Sequence, residues 1–321
     1  MSAPAGGPAA AVVPTAGTVA AAPSLMRDLL VSLRPKQWSK NLILYMTLLF
    51  AVNLHWNPGE GERALTLVLR TTAGFLLFCT LSSGIYLLND VLDREADRLH
   101  PRKRRRPVAA GRVGAGPALG TALVLLATSL LLGFALSPAF AAAQAAYAGL
   151  MATYSFWLKH QVILDVLTIA GGFLLRAHAG GLIIAIPISP WLSVCTVLGA
   201  LFLGFSKRRH ELRLLEDDAA SHRPILGQYS LPLLDQMLGV VTSSTVIAYS
   251  LYTFTAEALP ANHAMMLTIP FVLYGIFRYL YLINMRGMGG SPEEVLLRDR
   301  PLLVDILLWA GASAAILLLF R

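Results

Sequence analysis

Asn89, Asp90, Asp93 and Asp97 crowd the stretch Tyr86-Leu87-Leu88-Asn89-Asp90-Val91-Leu92-Asp93-Arg94-Glu95-Ala96-Asp97. No glycine or proline interrupts it, so helical spacing of about 100° per residue puts Asn89, Asp90, Asp93 and Asp97 within an arc of roughly 100° on one face. Three carboxylates stacked this way repel, at a cost in free energy unless a cation neutralises them. A hard divalent ion suits the set: Mg²⁺ takes few carboxylates, keeps several waters and completes its octahedron with phosphate oxygens. Directly after comes the basic run His100-Pro101-Arg102-Lys103-Arg104-Arg105-Arg106-Pro107, then Ala109-Ala110-Gly111-Arg112. Part of that run reads as an anchor on anionic lipid. Beside the acids it also reads as a clamp for phosphates whose charge a metal leaves uncancelled. The chemistry these residues suggest is the handling of a Mg²⁺-diphosphate.

The elements that position them belong in lipid. The 321 residues are 56% hydrophobic and only 14% charged, with a mean hydropathy of +0.62. That is more apolar surface than one soluble core needs. The pattern predicts an all-α, polytopic membrane protein with about nine spans, near 41–56, 64–88, 115–135, 138–157, 162–184, 189–206, 231–253, 263–283 and 300–320. Most of the 26 Lys and Arg residues fall in alternate connections: Arg27 to Lys40, Arg94 to Arg112, Lys159, Lys207 to Arg223, and Arg278 to Arg300. The opposite set contributes only Arg63. The positive-inside rule makes the first set cytoplasmic, and with it the acids and the N-terminus; nine spans would leave the C-terminus on the opposite side. This distribution accounts for the net charge of +8 without a nucleic-acid partner. Residues 1–24, nearly all Ala, Gly, Pro, Val, Ser and Thr, read as a disordered tail, and residues 25–321 as a single membrane domain. Cys79 and Cys195 lie in apolar runs without metal-ligand spacing and read as small buried hydrophobes.

The compound string Asn89-Asp90-x-x-Asp93-x-x-x-Asp97, with Pro101, Arg106-Pro107 and Ala109-Ala110-Gly111-Arg112 behind it, resembles the first signature of the UbiA intramembrane prenyltransferase superfamily. The resemblance runs over residues 27–321 and implies a bundle of nine helices with a cytoplasmic-facing active site. One branch is most similar, the decaprenyl-phosphate phosphoribosyltransferases of cell-wall arabinan synthesis. Four segments carry that likeness: Leu33-Arg34-Pro35-Lys36-Gln37-Trp38-Ser39-Lys40-Asn41, His100-Pro101-x-Lys103-Arg104-x-Arg106-Pro107, Tyr154-Ser155-x-x-Leu158-Lys159 leading to Asp165, and Ser206-Lys207-Arg208-x-x-Glu211-Leu212. It implies Mg²⁺-dependent transfer of 5-phosphoribose from phosphoribosyl pyrophosphate to a polyprenyl phosphate in a bacterial cytoplasmic membrane, with release of pyrophosphate. One departure from the wider superfamily favours this branch. Where members that use a prenyl diphosphate carry a second Asp-rich motif, this chain has Lys207-Arg208-Arg209-His210-Glu211-Leu212, and the nearby Asp217 and Asp218 read as a solvated loop.

On that basis Asp90, Asp93 and Asp97, with Asn89, are expected to hold one or two Mg²⁺ ions, and Lys40, Lys103, Arg104 and Arg106 to bind the remaining pyrophosphate oxygens. Tyr154, Lys159, Lys207 and Arg208 are candidates for the ribose 5-phosphate or the acceptor phosphate, while Asn41 and Glu211 complete the substrate-binding set. Asp165, inside the fifth span, is expected to bond ribose hydroxyls or Lys159, because charges within spans are functional by default. Arg176, eleven residues further on, is too far along the same helix to reach Asp165. Phe75, Phe78, Phe156, Trp157, Gly171, Gly172 and Phe173 are candidates to line a lipid groove, although ordinary packing explains each one singly. Two rival readings remain: transfer of a prenyl group from a prenyl diphosphate to an aromatic acceptor, and membrane transport. The crowding of charge at one face argues against the latter.

Overall fold

Lipid obliges each segment to satisfy its own backbone hydrogen bonds, and the chain answers with helices. The computed structural model describes residues 25–52, 54–100, 103–214, 224–256, 259–288, 295 and 298–320. The expected tail at 1–24, as well as Asp217 and Asp218, lies outside them. Helices α1 (Leu25–Ser32), α2 (Tyr45–Phe50), α3 (Gly61–Leu92), α4 (Arg94–Leu99), α5 (Ala115–Leu136), α6 (Pro138–Phe156), α7 (Leu164–Ile184), α8 (Pro190–Leu214), α9 (Leu231–Thr255), α10 (Ile269–Met285) and α11 (Arg300–Leu319) follow in order. Among the described residues there is no β-strand, only one isolated bridge between Val52 and Trp56.

Among the described residues, seven helical segments are long and apolar enough to cross a membrane: α3, α5, α7, α8, α9, the run Ala264–Met285 that includes α10, and α11. The other two of about nine expected spans fall short of that measure. The span expected at 138–157 is α6, whose 19 residues would cover about 28 Å but include Gln144, Tyr147, Thr153, Tyr154 and Ser155, which lower its hydropathy. The span expected at 41–56 is not one α-helix. It is a 3₁₀ helix over Pro35–Leu44 followed by the six residues of α2. A 3₁₀ helix rises about 2.0 Å per residue against 1.5 Å, so these two pieces together extend roughly 29 Å. Pro35 at the first turn supplies the fixed φ that starts the segment without an N–H to satisfy.

Successive long helices pack on one another, and α3 also packs on α7 and on the 3₁₀ segment. One core cluster joins Leu44, Phe78, Leu81, Phe140, Tyr147 and Ile183 across the 3₁₀ segment, α3, α6 and α7. A second joins Val166, Phe205, Tyr229, Leu238, Tyr279 and Leu302 across α7 to α11. Small residues set the closest approach: a side chain at Gly180 would collide with the Leu44 backbone, so α7 accepts the 3₁₀ segment only because that position is glycine. With 32 residues, α3 is about 48 Å long and overruns the roughly 30 Å hydrocarbon layer. Its polar last turns, carrying Asn89 and Asp90, therefore reach the membrane edge.

Candidate active site

The end of α3 does not run on as one helix. Asp93 is the hinge to α4, with φ −91° and ψ 7°, yet its N–H still bonds the Asn89 carbonyl at 2.9 Å and Asp97 N–H bonds the Asp93 carbonyl at 2.8 Å. The acids keep a common side while the axis bends. Asp90 and Asp97 are almost wholly buried, each 2% exposed, which for carboxylates demands compensation.

The basic loop supplies it. Arg106 Nη1 bridges two acids, 3.2 Å from Asp90 Oδ1 and 2.5 Å from Asp97 Oδ2, and Lys103 Nζ lies 3.8 Å from Asp97 Oδ1. Lys159, on the 3₁₀ turn Leu158–His160 between α6 and α7, bonds Asp93 at 2.7 Å. Asn89 accepts a hydrogen bond from Ser155 at 2.5 Å. The loop that aims Arg106 is itself pinned. Val108 and Val113 are buried against Leu87, Ala118 and Ala122, Arg98 donates to the Ala109 carbonyl at 3.2 Å, and Gly111, at φ 76°, closes the turn in the left-handed region that glycine favours. Arg112 ties the loop to α1 through Asp28 at 3.1 Å.

Two participants were not nominated from the sequence. Arg34 pairs with Asp90 and lays its guanidinium over the Tyr86 ring at 5.0 Å. Its backbone sits at φ 55°, ψ 59°, a left-handed conformation that costs an arginine energy, and no residue pattern announces that for Arg-Pro. Ser155 stood in the quoted Tyr154-Ser155 string without a role.

A second cluster lies between α7 and α8. Asp165 is fully buried and accepts from Arg208 Nε at 2.7 Å and from the Tyr229 hydroxyl at 2.9 Å; Glu211 takes the same guanidinium at 2.5 Å. The expected Lys159–Asp165 contact is replaced: Lys159 goes to Asp93, and Asp165 to Arg208. Tyr229 also accepts the N–H of Ile163 at 2.7 Å. Ile163 is the centre of a tight turn, φ 70° and ψ −48°, closed by Leu164 N–H to the Val162 carbonyl at 2.8 Å. A β-branched residue is strained there, so the Tyr229 bond helps to hold the turn between Lys159 and α7. Burial, opposed by the Ile163 bond and reinforced by the Asp165 charge, pushes the Tyr229 phenol up to about 12, so it remains a donor at neutral pH.

The other nominated residues differ in burial and contacts. Asn41 is buried and donates to Cys79 Sγ and Ser82 Oγ, both at 3.3 Å, which fixes the 3₁₀ segment to α3. Lys40, Tyr154 and Lys207 are half-buried and Arg104 is exposed. Of the proposed groove residues, Phe78 is core, Phe156 and Trp157 are exposed, and Phe173 borders an apolar cavity.

Among the described residues no three His, Cys, Asp or Glu side chains converge closely enough to cage a metal; cationic groups stand between the acids instead. That suits Mg²⁺, which is commonly held by one or two carboxylates plus substrate phosphates. Asp90, Asp93 and Asp97 supply hard oxygen donors of the right class, and their present partners are long cationic side chains that also bind phosphate.

A family model described as the UbiA prenyltransferase family matches residues 44–289. The chain belongs to that family. Within the UbiA family, a decaprenyl-phosphate phosphoribosyltransferase of Mycolicibacterium smegmatis is 36% identical over 94% of this chain and 95% of its own length. The enzyme of the same name from Mycobacterium tuberculosis is 33% identical over 91% and 95%. A solved structure of a UbiA homolog from Archaeoglobus fulgidus, bound to GPP and Mg²⁺, superposes with a TM-score of 0.67 at 20% identity, covering 90% of this chain and 99% of that one. The family makes this chain a multi-pass membrane transferase.

Proposed function

We propose that this UbiA-family chain transfers 5-phosphoribose from phosphoribosyl pyrophosphate to a polyprenyl phosphate, with Mg²⁺, and releases pyrophosphate. The relatives that match nearly its whole length carry the name of that activity. The site observation that carries the reading is the charge balance at the acids: Arg34, Lys103, Arg106 and Lys159 converge on Asp90, Asp93 and Asp97. Such a set neutralises itself when empty and releases its cations to phosphate when a diphosphate arrives.

In the reaction an oxygen of the acceptor phosphate forms a bond to C1 of ribose while the bond from C1 to the pyrophosphate oxygen breaks, its electron pair leaving with pyrophosphate. Positive charge grows on C1 and the ring oxygen, and negative charge grows on the leaving group. A Mg²⁺ held by Asp90, Asp93 or Asp97 supplies Lewis-acid stabilisation of that leaving charge. Arg106 and Lys103 meet the remaining pyrophosphate oxygens and stabilise the same developing charge. Lys159, with Tyr154 and Lys207, serves the ribose 5-phosphate. Arg208, committed to Asp165 and Glu211, positions the α7–α8 pair rather than binding phosphate. The acceptor is already an oxyanion near neutral pH, so no general base is required. The same reading sets the acids at the cytoplasmic face of a bacterial inner membrane, with the N-terminus cytoplasmic and the C-terminus opposite, and makes the product a precursor for cell-wall arabinan.

Membranes containing the protein, given labelled phosphoribosyl pyrophosphate and decaprenyl phosphate, are expected to form a labelled lipid and pyrophosphate, and to stop when a chelator is added. The GPP and Mg²⁺ on the archaeal homolog favour, as the second reading, a prenyl diphosphate donor. Pyrophosphate release from a prenyl diphosphate, with phosphoribosyl pyrophosphate ignored, would establish that alternative instead.

A further inference from the structure

Among the described residues two guanidinium groups are buried, and the chain treats them oppositely. Arg208, 2% exposed, has two carboxylates, Asp165 and Glu211. Arg176, 5% exposed and in the interior of α7, has none among the described residues. Its Nη2 donates to the Tyr147 hydroxyl at 2.5 Å, its guanidinium stacks over the Tyr147 ring at 4.6 Å and the Phe173 ring at 5.2 Å, and its Nε is buried with no acceptor. Arginine does not escape burial by losing its proton. Contact with two aromatic rings returns far less than an ion loses when stripped of water. A retained, uncompensated intramembrane cation calls for an anion from outside the chain.

What lies beside it narrows the anion. Phe173, one of the two rings under the guanidinium, also forms the wall of a cavity of about 430 Å³ lined by Ile43, Met46, Leu192, Cys195 and Trp309. A cation with a free donor, separated from an apolar cavity only by the Phe173 ring it stacks on, fits an amphiphile with an anionic head and a hydrocarbon tail. On the side of the acids, Arg34 pairs with Asp90 and stacks on Tyr86.

We infer that Arg176, with Tyr147, binds the phosphate head of the polyprenyl phosphate acceptor, and that the first part of the isoprenoid chain occupies the cavity beyond Phe173. This rests on the acceptor proposed above and assigns its subsite. It frees Lys159, Tyr154 and Lys207 for the donor's 5-phosphate, so the two phosphates are held by different cations on either side of the reacting carbon.

The test is binding, without any donor. Purified full-length protein in detergent is heated with decaprenyl phosphate or with decaprenol, which lacks the phosphate. The wild type is expected to be stabilised far more by the phosphate than by the alcohol, and Arg176→Gln is expected to lose that difference while melting, without lipid, no lower than the wild type, since it relieves an unpaired charge. In turnover, Arg176→Gln raises KM for decaprenyl phosphate about 10- to 100-fold, the range expected for a lost charged hydrogen bond, and leaves KM for phosphoribosyl pyrophosphate unchanged. Should Arg176→Gln not fold, Arg176→Lys, which keeps charge but loses the planar fork, is read in the same way, with weakened discrimination expected. A variant that still prefers the phosphate to the alcohol overturns the inference. So does a KM change confined to the donor. If the wild type uses another donor altogether, the proposed function fails while the binding arm still judges Arg176.

Discussion

Arg106→Gln tests the charge balance at the acids most directly. Arg106 is 30% exposed and its two partners, Asp90 and Asp97, about 2–3%. Removing one partner of a buried pair costs about 3–5 kcal/mol when nothing else compensates. Here Arg34 remains on Asp90 and Lys103 on Asp97, and partial exposure of Arg106 screens its share, so the expected loss is about 1–2 kcal/mol. The variant should melt several degrees below the wild type in detergent without metal. Mg²⁺ with pyrophosphate should then stabilise the variant less than the wild type, because glutamine cannot offer the diphosphate oxygens the charge that the displaced arginine brings to them. Turnover should fall too, by about 10²-fold, because the arginine faces the leaving group. The assay is a melting curve with and without Mg²⁺-pyrophosphate, beside initial rates. Equal melting points in the two proteins, or equal stabilisation by Mg²⁺-pyrophosphate, would refute the view that the basic loop neutralises the acids until a diphosphate takes its place.

Three further outcomes are expected. Asp93→Asn should abolish Mg²⁺-dependent turnover and leave stability within about 1 kcal/mol, because its pair with Lys159 is partly exposed on both sides; rates near the wild type would remove Asp93 from the metal site. Tyr229→Phe keeps the buried ring but leaves Asp165 one donor short and the Ile163 N–H without its acceptor, at a cost of about 1–3 kcal/mol; limited proteolysis should show faster cleavage around residues 159–165, and wild-type resistance there would deny Tyr229 its hold on the turn. Asp299 caps α11, and its bonds to Arg278 hold its carboxyl below the usual carboxylate range. A depressed acid contributes stability that is complete above the ordinary value of about 3.9 and is lost as pH falls through the lowered value. Asp299→Asn should therefore lower the neutral plateau and flatten the acid end of the stability profile, so that melting curves of variant and wild type converge as pH falls.

The arc of Asn89, Asp90, Asp93 and Asp97 is legible because it is local: helical angles depend only on spacing. Across the bend at Asp93 the i to i+4 bonds persist, and Asp90 and Asp97 meet at Arg106. Partners that arrive from elsewhere are not legible in this way. Asp165 meets Arg208 and Tyr229 from residues 43 and 64 positions away, so a sequence-near lysine was the natural but different expectation. Arg34 reaches Asp90 through a left-handed backbone that carries no residue signature. The first span was read from apolar content, which says how long a segment is in residues but not how far each residue rises, and the 3₁₀ geometry of Pro35–Leu44 hides in that gap.

The same cations explain how such a site avoids the expense of its own charge. Three carboxylates beside a membrane would repel each other, and an isolated basic loop would favour lipid headgroups. Folded together, each set satisfies the other, with Arg106 spanning two acids and Lys159 holding the hinge acid. A metal alone would have to displace these cations into a site with no other anion. A metal arriving with a diphosphate brings the oxygens to which the displaced Arg and Lys side chains can turn. Affinity for Mg²⁺ should accordingly be weak without diphosphate and strong with it, a coupling that titration of Mg²⁺ in the presence and absence of pyrophosphate measures. Equal Mg²⁺ affinity in both conditions would mean that the acids bind metal independently of the cations now on them.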